Sequence, residues 1–198
     1  MYLLNLDKTL TFKLYVADKL STFGLHSLYA VASYFVYLLP IILLVLFFKN
    51  PRDRINSAKI FLSAAIAWFV LNYSIGYLLY HYYGFRDRPF ASKGVAELLF
   101  ERPQKSFPSD HAAVLFAVML AFFMYKYPKL GWLFIVGGAI TCLARVMIGF
   151  HYVGDILGGW AVGAAAVGIV MLLDKPLTKA FEYIFGLFKR SDGRTVAS

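Results

Sequence analysis

The chain has 198 residues, of which 60% are hydrophobic, 18% aromatic and only 16% charged. Because soluble domains carry about a quarter charged residues, this composition excludes an ordinary soluble domain and favours membrane-spanning helices. The net charge of +9 would suit a nucleic-acid partner, but the basic residues lie in short loops between apolar runs, where anchoring at a membrane surface explains them. No nucleic-acid partner is therefore expected.

The first 23 residues mix charged and apolar side chains. The first apolar run is too short for the hydrophobic region of a signal peptide. Residues 1–23 are therefore predicted to form one or two amphipathic helices in the membrane interface, with a partly ordered tail as the alternative.

Five apolar runs follow, and crossing the roughly 30 Å of membrane hydrocarbon takes about 20 helical residues. The runs are Leu25–Phe48, Ala58–Tyr80, His111–Tyr127, Leu130–Gly149 and Val153–Leu173, of which the third is the shortest. The predicted fold is all-α: a polytopic membrane helical bundle with about five transmembrane helices plus the N-terminal interfacial helix. We expect a single domain over residues 1–198, with a transmembrane core at 24–174 and a cytoplasmic tail at 175–198.

The basic residues between the runs predict an orientation. The side that holds the C-terminal tail carries slightly more Lys and Arg than the opposite side, and the positive-inside rule makes it cytoplasmic. We therefore expect the N-terminus outside and the C-terminus inside.

Small residues recur in the fifth run. Gly154 and Gly158 are four residues apart, and so are Gly159 and Gly163. This spacing lets two helices approach closely. Packing within one bundle is the preferred interpretation, and a homodimer is the alternative.

A dispersed set of polar residues stands among these apolar runs. It comprises Arg88-Pro89, Pro108-Ser109-Asp110-His111, Arg145, His151 and Asp155. Ionisable groups at membrane depth are costly and indicate a functional site. In the orientation given above they all fall at the outer ends of the spans, so elements far apart in sequence are expected to converge there.

The residue types in this set point to phosphate chemistry. Ser109 suits the N-cap of a helix whose free N–H groups attract an anion, and His111 falls in the first turn. His151 and Asp155 are four residues apart, so the carboxylate can fix the imidazole tautomer for attack. Arg145 can hold phosphate oxygens in a paired hydrogen-bond fork. Taken singly, each motif also fits a plain structural role, such as a capped span or a His–Asp pair that braces two helices.

Together the blocks resemble the signature of the type 2 phosphatidic acid phosphatase superfamily, which reads Lys-x6-Arg-Pro, Pro-Ser-Gly-His and Ser-Arg-x5-His-x3-Asp. The corresponding segments here are Arg88-Pro89, Pro108–His111 and Arg145-x5-His151-x3-Asp155. The resemblance implies a phosphatidic acid phosphatase/haloperoxidase-like core and a phosphatase that needs no metal or other cofactor.

The resemblance also implies a role for each residue. His151 would be the nucleophile, Asp155 would orient it, and His111 would protonate the leaving oxygen and then activate water. The phosphoryl oxygens would be held by the remaining members of the set: Arg88, Arg145, Ser109 and the backbone at Asp110.

Three positions depart from the signature. The family lysine falls on His81, so another cation is expected to replace it at the phosphate, with Arg86 ranked first. Ala144 stands where the family has serine. Asp110 replaces glycine and puts a carboxylate beside the anion site, so we expect it to turn away or to pair with an arginine.

The segment Ser106–His111 resembles the bacterial undecaprenyl-diphosphatase branch of the superfamily, the bacitracin-resistance type. That branch implies a polyprenyl diphosphate substrate, cleaved to the monophosphate for reuse in cell-wall synthesis, at a site on the outer face of the bacterial plasma membrane. A phosphatidate or phosphatidylglycerol-phosphate phosphatase shares the same catalytic residues and is the alternative. A non-catalytic membrane protein that binds or transports lipids or anions is the alternative of another class.

Overall fold

The computed structural model describes residues 2–83, 88–89 and 106–191. These ranges are helical almost throughout and contain no β-strand, so the all-α prediction is confirmed. In chain order the α-helices are α1 (Tyr2–Leu14), α2 (Thr22–Tyr34), α3 (Leu38–Lys49), α4 (Pro51–Ala65), α5 (Tyr73–Tyr83), α6 (Asp110–Met124), α7 (Pro128–Met147), α8 (Val153–Leu172) and α9 (Asp174–Ser191).

Four helical stretches of the described chain are long and apolar enough to cross a membrane: Thr22–Lys49, Pro51–Tyr82, Pro128–Met147 and Val153–Leu172. The first two are composite. A 3₁₀ turn at Phe35–Tyr37 joins α2 to α3, and a π-helical segment at Ile66–Asn72 joins α4 to α5. The fifth predicted run is α6, whose 15 residues rise about 22 Å at 1.5 Å per residue.

The short α6 is the centre of the bundle and packs against α4, α7 and α8. α8 approaches it closely because two of its contact positions have no side chain. A Cβ at Gly159 would lie 2.7 Å from the carbonyl oxygen of Ser109, and one at Gly163 would lie 2.5 Å from that of Ala113. These glycines therefore serve packing within the bundle, as the preferred interpretation of their spacing predicts.

The first and last helices lie at opposite ends of the bundle. A 3.0 Å hydrogen bond from the Val16 N–H to the Met147 carbonyl oxygen joins the segment after α1 to the end of α7. α9 begins directly after α8 and is tied to α4 by Lys59, whose ammonium lies 2.6 Å from the Asp174 carboxylate. The expected C-terminal tail is thus helical as far as Ser191, and this placement agrees with five crossings.

Candidate active site

The start of α6, the end of α7 and the start of α8 meet at one end of the bundle, and they carry the predicted polar residues. Gly149 has a φ of 78°, a left-handed conformation that ends α7 and turns the chain towards α8. The Ser109 N–H donates to the carbonyl oxygen of Asp155 at 3.0 Å, which ties the start of α6 to α8.

Arg145 and His151 form a buried pair at the centre of this region, with 1% and 3% of their surfaces exposed. Nη2 of Arg145 lies 3.3 Å from Nε2 of His151, and its Nη1 donates to the carbonyl oxygen of Ala32 at 3.1 Å. Because a guanidinium can only donate, Nε2 of His151 is the acceptor. That nitrogen therefore carries the lone pair of the ring.

The other ring nitrogen of His151 is held by Ser106. Nδ1 lies 2.9 Å from the carbonyl oxygen of Ser106 and 3.7 Å from Oδ2 of Asp155. With Nε2 as the acceptor, Nδ1 carries the hydrogen and donates it to this carbonyl. Asp155 is fully buried, and its Oδ2 accepts from the Ser106 hydroxyl at 2.5 Å and the Tyr152 N–H at 2.8 Å. The structure thus brings His151 and Asp155 together and adds Ser106 to the pair.

Burial controls the protonation of His151. Burial lowers the pKa of the imidazole, the nearby carboxylate of Asp155 opposes this, and the guanidinium of Arg145 lowers the pKa further. The net effect holds the pKa of His151 below its ordinary value of 6.5. The lowered pKa favours the neutral ring at neutral pH.

The ring of Phe150 brings two guanidinium groups to the same place. The Cζ atom of Arg145 lies 5.2 Å from the ring centroid, and that of Arg88 lies 5.4 Å from it. Contacts of this kind hold a guanidinium without using its N–H donors. Both arginines act electrostatically on His111 and His151, so Arg88 joins the site although it follows a different span.

Ser109 occupies the N-cap position of α6, as predicted, but its hydroxyl does not cap the helix. The hydroxyl oxygen is buried and has no hydrogen-bond partner in the described part of the chain, and the same holds for Nε2 of His111. The His111 ring is hydrogen-bonded to the backbone of Ser33. Buried polar atoms without partners are costly, and these two adjoin the first-turn N–H groups of α6, which have no partner within the helix. The arrangement can accept an anion.

The side chain of Asp110 is engaged by span two. Asn72 is fully buried at the end of the π-helical segment, and its amide donates to the Asp110 carboxylate. The same nitrogen lies 3.4 Å from the carbonyl oxygen of Pro108. The sequence predicted that this carboxylate turns away from the anion site or pairs with an arginine, and the structure adds a hydrogen bond from a buried amide.

His81 occupies the position of the family lysine. His81 lies on α5 with an exposed side chain, and its ring packs on Tyr82. Arg86, the predicted replacement, lies outside the described residues. Within the described ranges no group of three or more His, Cys, Asp or Glu side chains is arranged to hold a metal ion.

An apolar cavity of about 350 Å³ extends from the site between spans one and two. His111 and Asp110 line its inner end, while Leu43 of α3 lines its wall. Its rim includes Phe61 and Phe69, which are 63% and 59% exposed on the outer surface of the bundle. The cavity therefore connects the polar site with the lipid-facing side of the helices.

Two arginines and two histidines gathered at the helix ends of an apolar bundle are the features of a membrane protein with an anion site. The chain belongs to the PAP2 superfamily, whose family model matches residues 60–179, more than half of the 198 residues. This confirms the resemblance found in the sequence.

Among known proteins, the chain is similar to undecaprenyl-diphosphatase BcrC of Bacillus subtilis (strain 168), with 32% identity over 153 residues, 77% of this chain and 73% of the relative. It is 34% identical to YbjG of Escherichia coli (strain K12) over 105 residues, 53% of this chain and 50% of that protein. It is 25% identical to the bacitracin transport permease protein BcrC of Bacillus licheniformis over 171 residues, 86% and 81% of the two chains. No solved structure gives a significant match.

Three residues of the site were missed by sequence reasoning. Asn72 gave a usable signal, because a lone amide inside the run Ala58–Tyr80 is a polar group at membrane depth. Ser106 belongs to the segment that resembles the undecaprenyl-diphosphatase branch, but a loop serine gives no sign of a contact with His151. Phe150 gave no signal, because it is one aromatic residue among many.

Proposed function

We propose that this protein is an integral-membrane lipid phosphatase that hydrolyses undecaprenyl diphosphate, or a related polyprenyl diphosphate, to the monophosphate and inorganic phosphate. The observation that carries the proposal is the grouping of the buried Arg145 and His151 with the half-buried Arg88 and His111 at the N-terminus of α6. Membership of the PAP2 superfamily and the similarity to undecaprenyl-diphosphatase BcrC of Bacillus subtilis support it.

In the first step, Nε2 of His151 attacks the terminal phosphorus. An N–P bond forms, the bond from this phosphorus to the bridging oxygen breaks, and His111, which enters this step protonated, gives its proton to the lipid monophosphate as it leaves. The positive charge that develops on the imidazole is stabilised by Asp155 and by the Ser106 carbonyl, both of which face Nδ1. The two guanidinium groups offset the charge on the equatorial oxygens.

In the second step, His111 is neutral and removes a proton from a water molecule. The oxygen of that water attacks phosphorus, the N–P bond breaks, and inorganic phosphate leaves while His151 returns to its neutral form. The Ser109 hydroxyl and the first-turn N–H groups of α6 donate hydrogen bonds to the phosphoryl oxygens in both steps. Each proton is accounted for by side chains of this chain, and we propose that the reaction needs no metal ion.

The apolar cavity supports a lipid with a bulky hydrocarbon chain as the substrate. It begins at His111, where the leaving oxygen would be protonated, and reaches the outer surface of the bundle at Phe61 and Phe69. A chain lying in it would keep the diphosphate at the site while the remainder stays in the bilayer.

We further propose that the site faces the outside of a bacterial plasma membrane. Support comes from the excess of basic residues on the side of the C-terminal tail and from the position of α1 at the site end of the bundle. A reporter fused to the C-terminus should be accessible only from the cytoplasm, and an extracellular reporter would reverse the orientation.

The substrate is tested with purified full-length protein in mixed micelles. Initial rates on undecaprenyl diphosphate, phosphatidate and phosphatidylglycerol phosphate are compared, each with and without excess EDTA. We expect undecaprenyl diphosphate to have the highest kcat/KM and EDTA to have no effect. A higher kcat/KM for either glycerolipid would overturn the substrate, and loss of rate in EDTA would overturn the metal-independent mechanism.

The cavity is tested by filling it. Ala65→Phe places a ring among the residues that line it, and we expect kcat/KM for undecaprenyl diphosphate to fall about tenfold while that for the five-carbon isopentenyl diphosphate is unchanged. Val70→Phe is the matched control, because Val70 lies on the same span, is exposed and does not line the cavity. An equal loss of kcat/KM for both substrates would show that the cavity does not bind the hydrocarbon chain of the substrate.

A further inference from the structure

The N-terminal helix α1 turns two polar residues, Asp7 and Thr11, towards the protein and leaves its large apolar side chains exposed. Thr11 is fully buried, whereas Leu4, Leu6, Leu10 and Phe12 are at least 41% exposed. The exposed apolar positions suit a membrane interface. Asp7 and Thr11 make hydrogen bonds that join α1 to the bundle.

Those contacts go to the first turn of α8. Oγ1 of Thr11 accepts from the Val153 N–H at 3.1 Å, and Oδ1 of Asp7 accepts from the Gly154 N–H at 2.8 Å. Asp7 and Thr11 are four residues apart and share a face of α1. The N–H groups they cap have no partner within α8, and a carboxylate is favourable at the positive end of a helix dipole.

The chain after α1 holds the other end of the loop between α7 and α8, which carries His151. The Val16 N–H donates to the Met147 carbonyl at 3.0 Å, at the last residue of α7. His151 lies between this anchor and the two capped N–H groups of α8. The fit is tight, since a Cβ at Gly154 would lie 2.8 Å from Oδ2 of Asp7.

We propose that Asp7 and Thr11 are positioning residues for His151; the catalytic consequence of this inference rests on the proposed function. By capping the first N–H groups of α8, Asp7 and Thr11 fix one end of the loop between α7 and α8. They thereby fix the direction in which Nε2 of His151 points. They also occupy the N–H groups of α8, so a bound phosphoryl group meets the open first turn of α6 instead. Loss of either hydrogen bond lets this loop shift, and a displacement of about 1 Å can cost roughly 100-fold in rate.

Paired substitutions separate positioning from simple stability. Thr11→Val and Asp7→Ala remove the acceptors, while Thr11→Ser and Asp7→Asn retain them. We expect the first two to lower kcat about tenfold or more with KM changed less than about twofold, and the second two to keep most of the wild-type kcat. Thr9→Val is the matched control, because Thr9 is exposed and its hydroxyl donates only within α1, to the Asn5 carbonyl at 2.8 Å.

A second measurement does not depend on turnover. Hydrogen–deuterium exchange of the full-length protein is followed in the peptide spanning residues 147–156, without substrate. We expect Thr11→Val to speed exchange there relative to both the wild type and Thr9→Val.

Each outcome decides the inference. If Thr11→Val matches Thr9→Val in both exchange and kcat, the inference is overturned. A lower folded yield with normal kcat for the folded fraction would also overturn it, since α1 would then be only a stabilising element. If the wild type fails to hydrolyse polyprenyl diphosphates, the proposed function fails, and the exchange experiment still decides whether α1 holds the loop.

Discussion

The two ends of the bundle both bury polar side chains, but in the described part of the chain the site end leaves buried polar atoms without a hydrogen bond, and the opposite end does not. There, the Lys59 ammonium lies 2.6 Å from the Asp174 carboxylate and 2.6 Å from the Thr178 hydroxyl, and Tyr125 donates to Asp174 at 3.0 Å. At the site end, the Ser109 hydroxyl and Nε2 of His111 are buried without a partner in the described residues. Satisfied networks rigidify a structure, and unsatisfied polar atoms mark a place for a ligand.

The two ends also differ in which form of a titratable side chain the protein stabilises. Burial would raise the pKa of Asp174, but the hydrogen bonds from Lys59 and Tyr125 outweigh it and lower the pKa of this carboxyl. Its contribution to stability is therefore present above the ordinary carboxyl pKa and is lost only as the pH falls towards the lowered value. That end is a stable ionic clamp, whereas at the site end burial lowers the pKa of His151 and favours its neutral form.

The largest effect on kcat is expected at the site end of the bundle, where His151 lies. His151→Ala removes the attacking nitrogen and should reduce kcat roughly 10⁴-fold or more. The variant should fold normally, since the adjoining Asp155 keeps its bonds from Ser106 and Tyr152. Steady-state rates with a matched thermal unfolding curve check both points, and residual activity near wild type would show that another residue is the nucleophile.

The next effect compares two N-cap serines. Ser109→Ala removes a hydroxyl that makes no cap bond, so it should lower kcat about 100-fold with little change in stability. Ser21→Ala should do the reverse, because the Ser21 hydroxyl accepts from the Gly24 N–H at 3.2 Å and caps α2. It should cost about 1 kcal/mol of stability and leave kcat unchanged. If both variants changed kcat and stability in the same way, the helix ends at Ser109 and Ser21 would not differ in function.

The third effect is a pH dependence of less than tenfold near neutrality. His151 must be neutral to attack, and its pKa lies below 6.5, so the acidic limb of kcat/KM should have its midpoint below pH 6.5. The profile is measured beside a ³¹P titration of the substrate in the same micelles, which separates substrate ionisation from that of the enzyme. An enzyme midpoint above pH 6.5 would contradict a neutral buried nucleophile.

The smallest effect on activity is expected at the opposite end. Lys59→Met breaks the clamp and should cost about 2 kcal/mol of stability, since Lys59 is buried while Asp174 is partly exposed. The kcat of the folded protein should not change. Lys49→Met is the control, because Lys49 is exposed and lies 3.8 Å from Asp53, and it should cost less than about 0.5 kcal/mol. A lower kcat in Lys59→Met would show that the two ends are coupled.

The sequence predicts the parts of this molecule that depend on local spacing. The apolar runs predict the spans, and the four-residue interval predicts the meeting of His151 and Asp155. Tertiary contacts decide the rest. No local pattern places the Ser106 carbonyl on His151 or the Asn72 amide on Asp110, because each pair is brought together by packing between distant segments.

The termini show the same limit. The amphipathic pattern of residues 1–23 predicts an interfacial helix, but not that Thr11 and Asp7 turn inward to cap α8. These contacts depend on where the end of α8 lies in the folded bundle, which the sequence of α1 does not contain.

The central claim is that His151 carries the phosphoryl group between substrate and water. Rapid quenching of the full-length enzyme with undecaprenyl diphosphate labelled with ³²P in its terminal phosphate tests this directly. The account predicts a transient, acid-labile and alkali-stable label that maps to the peptide containing His151 and is absent in His151→Ala. Turnover without a labelled protein, or a label on any other residue, would contradict it.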